Sequence, residues 1–386
     1  MKKICIVTGS RAEYGLLKPI MQAIKDDKEL ILQVFVTGSH LSTEFGLTYK
    51  TIEDDGFIID EKVEMLLSSD TKIGINKSMG VAMISFGEAF ERLKPDLVVV
   101  LGDRYEILAV CICAMICNIK IAHLHGGEIT EGAIDDSIRH CITKMSHIHF
   151  TATEEYKKRV IQLGEQPDNV FNVGAIGTQN IKKLNFFDKE ELEKRLNFKI
   201  KSNTIILTFH SVTLETELSK QQFQNILDAI DSIENINVIF TKANADTDGR
   251  IINYMIDEYV RKNDNTIAFD TMGQLNYFSA LQFVDAVVGN SSSGIIEVPT
   301  FKIPTVNIGN RQKGRICSHS VINCKNEKND IEIAIKKALS KNFKEEVKKY
   351  DNPYEKENTC ENIIYYIKQF LNNNNQNIKK FYDINF

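Results

Sequence analysis

The sequence predicts an α/β protein of two Rossmann-like domains, each a parallel sheet with helices on both faces. Three observations predict it. The chain has 386 residues, enough for two domains at roughly 100–200 residues each. Short, almost wholly apolar β-rich runs alternate with amphipathic helical patterns, the signature of sheets buried on both sides. The alternation restarts in the second half, after a looser join at VFNVGAIGT (170–178).

In the first half the strand runs are ICIVTG (4–9), LQVFVTG (32–38), DLVVVLG (96–102), KIAHLHGG (120–127) and HIHFTAT (147–153). Helical patterns lie between them. In LLKPIMQAIKDD (16–27), Leu17, Ile20, Met21 and Ile24 recur at helical spacing. Residues 78–94 form another helix, and Pro95 helps to stop it. In the second half the strand runs are NVFNVG (169–174), TIILTFH (204–210), NVIFTKAN (237–244), TIAFD (266–270), DAVVGN (285–290) and PTVNIG (304–309). Helices at 188–196, 219–233, 249–262 and 329–340 separate most of them. A last helix spans 355–371, NNNNQN (372–377) reads as a tether, and FYDINF beyond it docks or frays.

Composition narrows the function. Hydrophobic residues make 43% and charged residues 26%, as in ordinary globular proteins. A net charge of −5 gives no broad basic face, which argues against nucleic acid as a partner and leaves a phosphorylated small molecule open. MKKICIVTGSRAEYG is too short in apolar residues for a signal peptide, and no run of ~18 apolar residues could span a membrane. The expected location is therefore cytoplasmic. Eight cysteines, none in a CxxC pair, read as small hydrophobes of a reducing compartment, with a metal or redox site as the alternative.

Open parallel sheets bind ligands beyond the carboxyl ends of their strands. The polar residues immediately after each strand run are therefore the candidates. After the first strand comes TGSR, which lacks a dinucleotide fold's spaced glycines, so Arg11 faces a phosphate or is a plain surface arginine. After VVVLG come Asp103 and Arg104. Asp103 is either a catalytic or orienting carboxylate or the N-cap of the next helix. HLHGGE (123–128) offers His125 and Glu128 as acid/base groups; alternatively it ties down a glycine turn. His123 and His125 share a strand face, but a metal there would need a third ligand. Asp135 and Arg139 stand four apart on the following helix and either pair there or serve the site. In the second half, GNSSSGIIE (289–297) places glycine and hydroxyl donors at a strand-to-helix turn. Ser291, Ser292 and Ser293 bind a diphosphate at the helix N-terminus or simply cap it, and Glu297 reaches ribose hydroxyls.

Taken together the motifs resemble the hydrolysing UDP-N-acetylglucosamine 2-epimerases of sialic and legionaminic acid biosynthesis. The resemblance covers essentially the whole chain and rests on TGSRAEYGLLKP (8–19), VLGDRYEILAV (100–110), HLHGGE (123–128), IRHCITKMSHIHFTATEEYKKRVIQLGE (138–165), GNSSSGIIEVP (289–299) and NIGNRQKGR (307–315). It implies a GT-B-like fold with an interdomain cleft. The first domain, 1–170, would be joined by the C-terminal helix (about 355–386), and 171–354 would form the nucleotide-binding domain. It implies no metal and no cofactor, a homodimer or homotetramer, and a nucleotide-sugar substrate. The implied reaction removes the C-2 proton, expels the nucleoside diphosphate and hydrates the 2-acetamidoglycal. By matching, Asp103 and Asp135 are catalytic, and Arg11, Arg104, Ser291, Ser292, Glu297 and Arg311 bind the nucleotide. Arg139, His210 and Asn244 face sugar or phosphate, and His40 edges the sugar. Many relatives carry HIEGGE where this chain has HLHGGE, so either His125 or Glu128 does the work of that first glutamate.

The implied substrate is UDP-N-acetylglucosamine. The alternative is UDP- or GDP-linked 2,4-diacetamido-2,4,6-trideoxyglucose (N,N'-diacetylbacillosamine). Two other classes compete: a GT-B glycosyltransferase, which would put an acceptor groove in place of the carboxylates, and a non-catalytic nucleotide-sugar binding module.

Overall fold

The structure is a computed structural model that describes residues 1–67, 69, 71–131, 134–182, 184–211, 219–242, 249–373 and 378–384. The chain divides into two compact units. The first is Met1–Glu128, Ile134–Gln179 and Lys356–Phe386, and the second is Ile129–Ala133 and Asn180–Glu355.

The first unit is a seven-stranded, all-parallel sheet in the order β3-β2-β1-β4-β5-β6-β7. Its elements run β1 (Lys2–Thr8), α1 (Arg11–Asp26), β2 (Leu30–Thr37), α2 (Tyr49–Asp54), β3 (Glu61–Val63), α3 (Lys72–Leu93), β4 (Leu97–Leu101), α4 (Tyr105–Ile116), β5 (Lys120–Leu124), α5 (Ile134–Met145), β6 (Ile148–Thr151), α6 (Glu154–Gln162), β7 (Val170–Asn172) and α7 (Ile176–Lys182). Strand order reverses between β1 and β4, the switch point where such sheets bind ligands.

The second unit contains α8 (Lys189–Leu196), β8 (Thr204–Thr208), α9 (Ser219–Asp231), β9 (Asn237–Thr241), α10 (Gly249–Val260), β10 (Thr266–Phe269), α11 (Gln274–Leu281), β11 (Ala286–Gly289), α12 (Ser293–Ile296), β12 (Thr305–Ile308), β13 (Val321–Cys324), α13 (Lys328–Leu339) and α14 (Lys341–Val347). Its six parallel strands lie in the order β10-β9-β8-β11-β12-β13, with the switch point between β8 and β11. The chain then returns to the first unit as α15 (Thr359–Asn372).

Each sheet has an apolar cluster on either face, as the near-continuous hydrophobic strands require. On one face of the first sheet, α1 buries Tyr14, Leu17, Ile20, Met21 and Ile24, and α15 adds Ile363, Ile364, Ile367, Phe370 and Leu371 to the same cluster. At about 1.5–3 kcal/mol per buried side chain, these two helices hold that flank closed.

The strand runs read from sequence fall on β1, β2, β4–β7 and β8–β12, with NVFNVG (169–174), read as part of the second half, forming β7 of the first sheet. β3 and β13 were not anticipated, because Glu61–Val63 and Val321–Cys324 are short and half polar. The helix expected at 78–94 begins a turn and a half earlier, where Thr71 caps it by accepting from the Gly74 N–H. The unit boundary falls at Gln179/Asn180 rather than at 170/171. β7 pairs with β6, so 171–179 stay with the first unit, and the boundary falls within α7. Residues 378–384 dock on the first unit through the Tyr382 N–H to the Gly164 carbonyl (2.9 Å). Among the described residues no helix is long and apolar enough to cross a membrane.

Candidate active site

At the first unit's switch point, α1 opens with Ser10, whose hydroxyl accepts from the Glu13 N–H (3.4 Å). Glu13 reaches back to the Gly9 N–H (2.7 Å), so SRAE works as a capping box shifted by one residue. Beside it, Arg104 is the N-cap residue of α4 and pairs with Glu106 (2.5 Å), lying 3.9 Å from Glu13. Glu106 is 1% exposed and packs under Gly9, and one oxygen of each glutamate is buried without a hydrogen bond. Burial first, then the Glu106 charge, pushes the Glu13 carboxyl up to about 8, against the pull of Arg104. Arg11, the first residue of α1, is exposed. His40 is fully buried. The Thr8 hydroxyl (3.0 Å) and the Thr48 hydroxyl (2.8 Å) occupy its two ring nitrogens, and burial lowers its pKa to about 4. It is therefore a neutral pin under the turn and has no edge to offer a sugar, contrary to expectation.

Beyond β5 the chain turns sharply. His125 has φ +65°, and Gly127 has φ +80° with its Cα so close to the Tyr156 carbonyl that a Cβ would stand 2.4 Å from that oxygen. The positive φ takes His125 out of the strand, so His123 and His125 do not share a face. His123 is buried between the Gly102 carbonyl (2.9 Å) and the Thr143 hydroxyl (3.2 Å). His125 Nδ1 meets Glu128 Oε1 at 3.1 Å, and the Ile176 N–H donates to His125 Nε2 at 3.5 Å. Those partners assign the proton to Nδ1 and the lone pair to Nε2. Side-chain exposure is 13% for His125 and 4% for Glu128, so the imidazole is the more reachable group.

Arg139 of α5 gathers the carboxylates. It is 1% exposed and donates to Asp103, to Asp136 (3.2 Å) and to the Glu128 carbonyl (2.8 Å). Its partners are thus Asp103, 36 residues away, and Asp136; of the two readings left open for Asp135 and Arg139, the i,i+4 pair is not formed. It is also a buried organiser of acids rather than a side chain open to sugar or phosphate. Asp103 does not cap α4, because it is committed to Arg139. The Asp135 carboxyl is raised, by burial first and then by the Asp103 charge, against Arg104 and Arg139. A raised carboxyl beside an ion-paired one is an arrangement suited to acid and base roles.

In the second unit Asn290, just past β11, is the organiser. Its side chain accepts from the His210 N–H (2.8 Å) and donates to the His210 carbonyl (2.8 Å), tying the ends of β8 and β11 together. Its own carbonyl accepts from Arg311 (3.0 Å) and Gln312 (2.9 Å). His210, Arg311 and the serine turn therefore surround one asparagine. Gly289 is obligatory there: at φ +136° a Cβ would meet the Thr208 carbonyl at 1.8 Å. The Ser293 hydroxyl lies 3.1 Å from the Tyr277 hydroxyl, and Ser291 Oγ accepts from the Ser293 N–H at 3.4 Å. α12 is only four residues long, Ser292 is its N-cap and Glu297 its C-cap. So short a helix has little macrodipole, and anion affinity there depends on local N–H and O–H donors. Asn244 lies outside the described residues. Among the described residues no group of three or more His, Cys, Asp and Glu could hold a metal ion.

Sequence reasoning gave no role to Glu13 or Glu106, and none to Asn290 or Gln312 although both stand among the polar residues that follow strands. The S-x-x-E spacing of Ser10 and Glu13 and the position of Asn290 directly after a strand were signals that could have found two of them.

Two doubly wound parallel sheets, with acids and arginine at one switch point and serine, asparagine and arginine at the other, define the architecture of a GT-B-like enzyme. The model of the UDP-N-acetylglucosamine 2-epimerase family matches residues 22–368, and the chain belongs to that family. The GDP/UDP-N,N'-diacetylbacillosamine 2-epimerase (hydrolyzing) of Campylobacter jejuni is 47% identical over 345 residues, 89% of each chain. The polysialic acid biosynthesis protein P7 of Escherichia coli is 41% identical over 385 residues, 100% of this chain and 98% of that one. The crystal structure of a putative UDP-N-acetylglucosamine 2-epimerase from Listeria monocytogenes superposes with a TM-score of 0.82 over 100% of this chain and 99% of its own at 16% identity, which shows the shared GT-B-like fold. The chain is an enzyme of the hydrolysing 2-epimerase type.

Proposed function

We propose that the chain converts UDP-N-acetylglucosamine and water to N-acetylmannosamine and UDP. A base removes the C-2 proton, the C-1–oxygen bond breaks to release the diphosphate, and a 2-acetamidoglycal remains. Water then adds its hydroxyl to C-1 while C-2 is reprotonated on the opposite face. The observation that carries this reading is that buried Arg139 holds the Asp103 and Asp136 carboxylates and the Glu128 backbone beyond β4 and β5, with Asp135 close enough to feel the Asp103 charge. An elimination and a hydration need a base, an acid and a way to keep them in different protonation states. Asp135, with its raised carboxyl, supplies the acid, and Asp103, held by Arg139, stands beside it as the second carboxyl group. His125, its tautomer set by Glu128, takes the place of the glutamate that many relatives carry. Ser291, Ser292, Ser293, Arg311 and His210 hold the diphosphate, Glu297 the ribose, and Arg11 and Arg104 supply positive charge near the leaving group. Arg139 and His40 position the site without touching substrate.

A second reading rests on the 47% identity to the C. jejuni relative, whose name gives GDP/UDP-N,N'-diacetylbacillosamine as substrate. The same chemistry would then act on the 4-acetamido-6-deoxy sugar, towards legionaminic rather than sialic acid. Incubation of the enzyme with each nucleotide-sugar in D2O, followed by NMR, separates these readings: the substrate is the one giving free sugar with deuterium at C-2. Asp103→Asn and Asp135→Asn keep nucleotide binding and lose nearly all turnover. Absence of nucleoside diphosphate release from every candidate sugar overturns the proposal. Acceptor-dependent turnover without C-2 deuteration replaces it with glycosyl transfer.

The proposed working form is a cytoplasmic homodimer or homotetramer. Ile73, Val81 and Ile84 on α3, with Met115 and Ile116 at the end of α4, are exposed apolar side chains on two packed helices, and they support self-association there. Sedimentation of the wild type and of Ile84→Glu tests it.

A further inference from the structure

The residues beyond the last helix are held more firmly than their composition suggests. Lys379 lies 2.7 Å from Glu165. Its ammonium also donates to the carbonyls of Lys144 (2.6 Å), Ser146 (2.5 Å) and, more weakly, Thr143 (3.4 Å). Thr143 and Lys144 belong to the last turn of α5, where carbonyls have no partner within the helix and the dipole is negative. One lysine thus caps the helix from a segment more than 200 residues away in sequence. Glu165 is 3% exposed and is shared with Lys144 (2.6 Å) and His149 of β6 (3.0 Å). The grip continues past Lys379. The Phe381 ring fills the space that a Cβ on Gly164 would occupy, at 2.3 Å, and Lys144 stands 4.9 Å over the same ring. Tyr382 donates its N–H to the Gly164 carbonyl (2.9 Å), and Gln166 donates to the carbonyls of Phe381 (3.3 Å) and Lys380 (3.4 Å).

The opposite end of α5 carries Asp135, Asp136 and Arg139. From Asp135 to Thr143 the helix rises only about 12 Å, so a small tilt at the capped end moves the acid end by a comparable amount. We propose that residues 378–384 are a clamp on the carboxyl end of α5, and that Lys379 is a positioning residue for the acids at its other end. The part concerning turnover rests on the epimerase reading above; the clamping of α5 does not.

The test uses the full chain with Lys379→Met, Lys379→Arg and Phe381→Ala. Hydrogen exchange of the α5 amides reads the clamp directly. Lys379→Met speeds it by about tenfold or more, the loss of a helix-terminal cation with its charged hydrogen bonds. Lys379→Arg, which keeps the charge and the donors, stays near the wild type. In steady state, Lys379→Met lowers kcat about tenfold while KM for the nucleotide-sugar stays within about twofold, because remote misplacement of acids affects the chemical step. Phe381→Ala gives a milder version of both effects. Unchanged α5 exchange in Lys379→Met overturns the clamp. Faster exchange with unchanged kcat overturns the positioning role. If the wild type turns over no nucleotide-sugar, the epimerase reading fails, and the exchange measurement still decides the clamp.

Discussion

Arg139 is the residue whose removal should be most informative. Its guanidinium is 1% exposed and serves Asp103, Asp136 and the Glu128 carbonyl together. Removing one partner of a buried ion pair costs about 3–5 kcal/mol, because the other charge is left without compensation. The aspartates keep 25% and 28% of their side-chain surface in water, so the low end, about 3 kcal/mol, is the expected loss in Arg139→Met. For a unit of roughly 200 residues that lowers the melting transition by about 6–12 °C. Turnover falls more steeply, since a displacement of about 1 Å in a reacting group costs on the order of a hundredfold. The double variant Arg139→Met, Asp103→Asn separates the two effects. It removes the orphaned carboxylate, so it recovers about 1–2 kcal/mol relative to the single variant, yet it stays inactive. Scanning calorimetry and a nucleoside diphosphate release assay on the wild type, Arg139→Met, Asp103→Asn and the double variant measure both. A wild-type melting temperature in Arg139→Met, or purely additive losses in the double variant, would refute the claim that this arginine anchors Asp103.

Three further outcomes follow from the geometry. The Glu13 carboxyl, raised from 4.5 to about 8, keeps its proton in the folded state at pH values where the unfolded chain has lost it. Wild-type stability therefore falls as pH rises from about 4.5 to 8, at up to about 1.4 kcal/mol per pH unit. Glu13→Gln flattens that profile, and parallel urea-midpoint curves for the two proteins would show that Glu13 ionises normally. Arg311→Ala weakens nucleoside diphosphate binding by about 1.5–3 kcal/mol, the value of a charged hydrogen bond; a calorimetric Kd equal to that of the wild type removes Arg311 from the site. Gly127→Ala puts a methyl against the Tyr156 carbonyl at positive φ and destabilises by about 1–3 kcal/mol; an unmoved denaturation midpoint means the turn relaxes without cost.

The fold was legible because its information is local. Apolar runs such as Leu97–Leu101 and Ala286–Gly289 read as buried parallel strands on their own, and the polar residue after each strand falls at a sheet's carboxyl edge whatever the details. What was hidden depends on distant partners. The Asp103–Arg139 pair spans 36 residues, so the local reading could offer only Asp135 or the substrate as partners of Arg139. The left-handed turn at His125 is set by the approach of the Gly127 backbone to Tyr156 on α6, which no strand periodicity can express. His40 carries no sequence sign that two threonine hydroxyls will occupy its ring. Nothing in the sequence sets Glu13 and Glu106 apart, since glutamates near helix N-termini are expected for capping alone.

α15 has a bearing on biosynthesis. Its apolar stripe completes the flank lined by Tyr14, Leu17, Met21 and Ile24, but it is translated only after the whole second unit. While the ribosome makes the intervening residues, the first unit must wait with an oily seam uncovered. The second unit can mature during that interval, whereas the first cannot finish until translation has passed residue 372 and its last helix has left the exit tunnel. Stalled or truncated products lacking that helix should consequently be the species that chaperones retain.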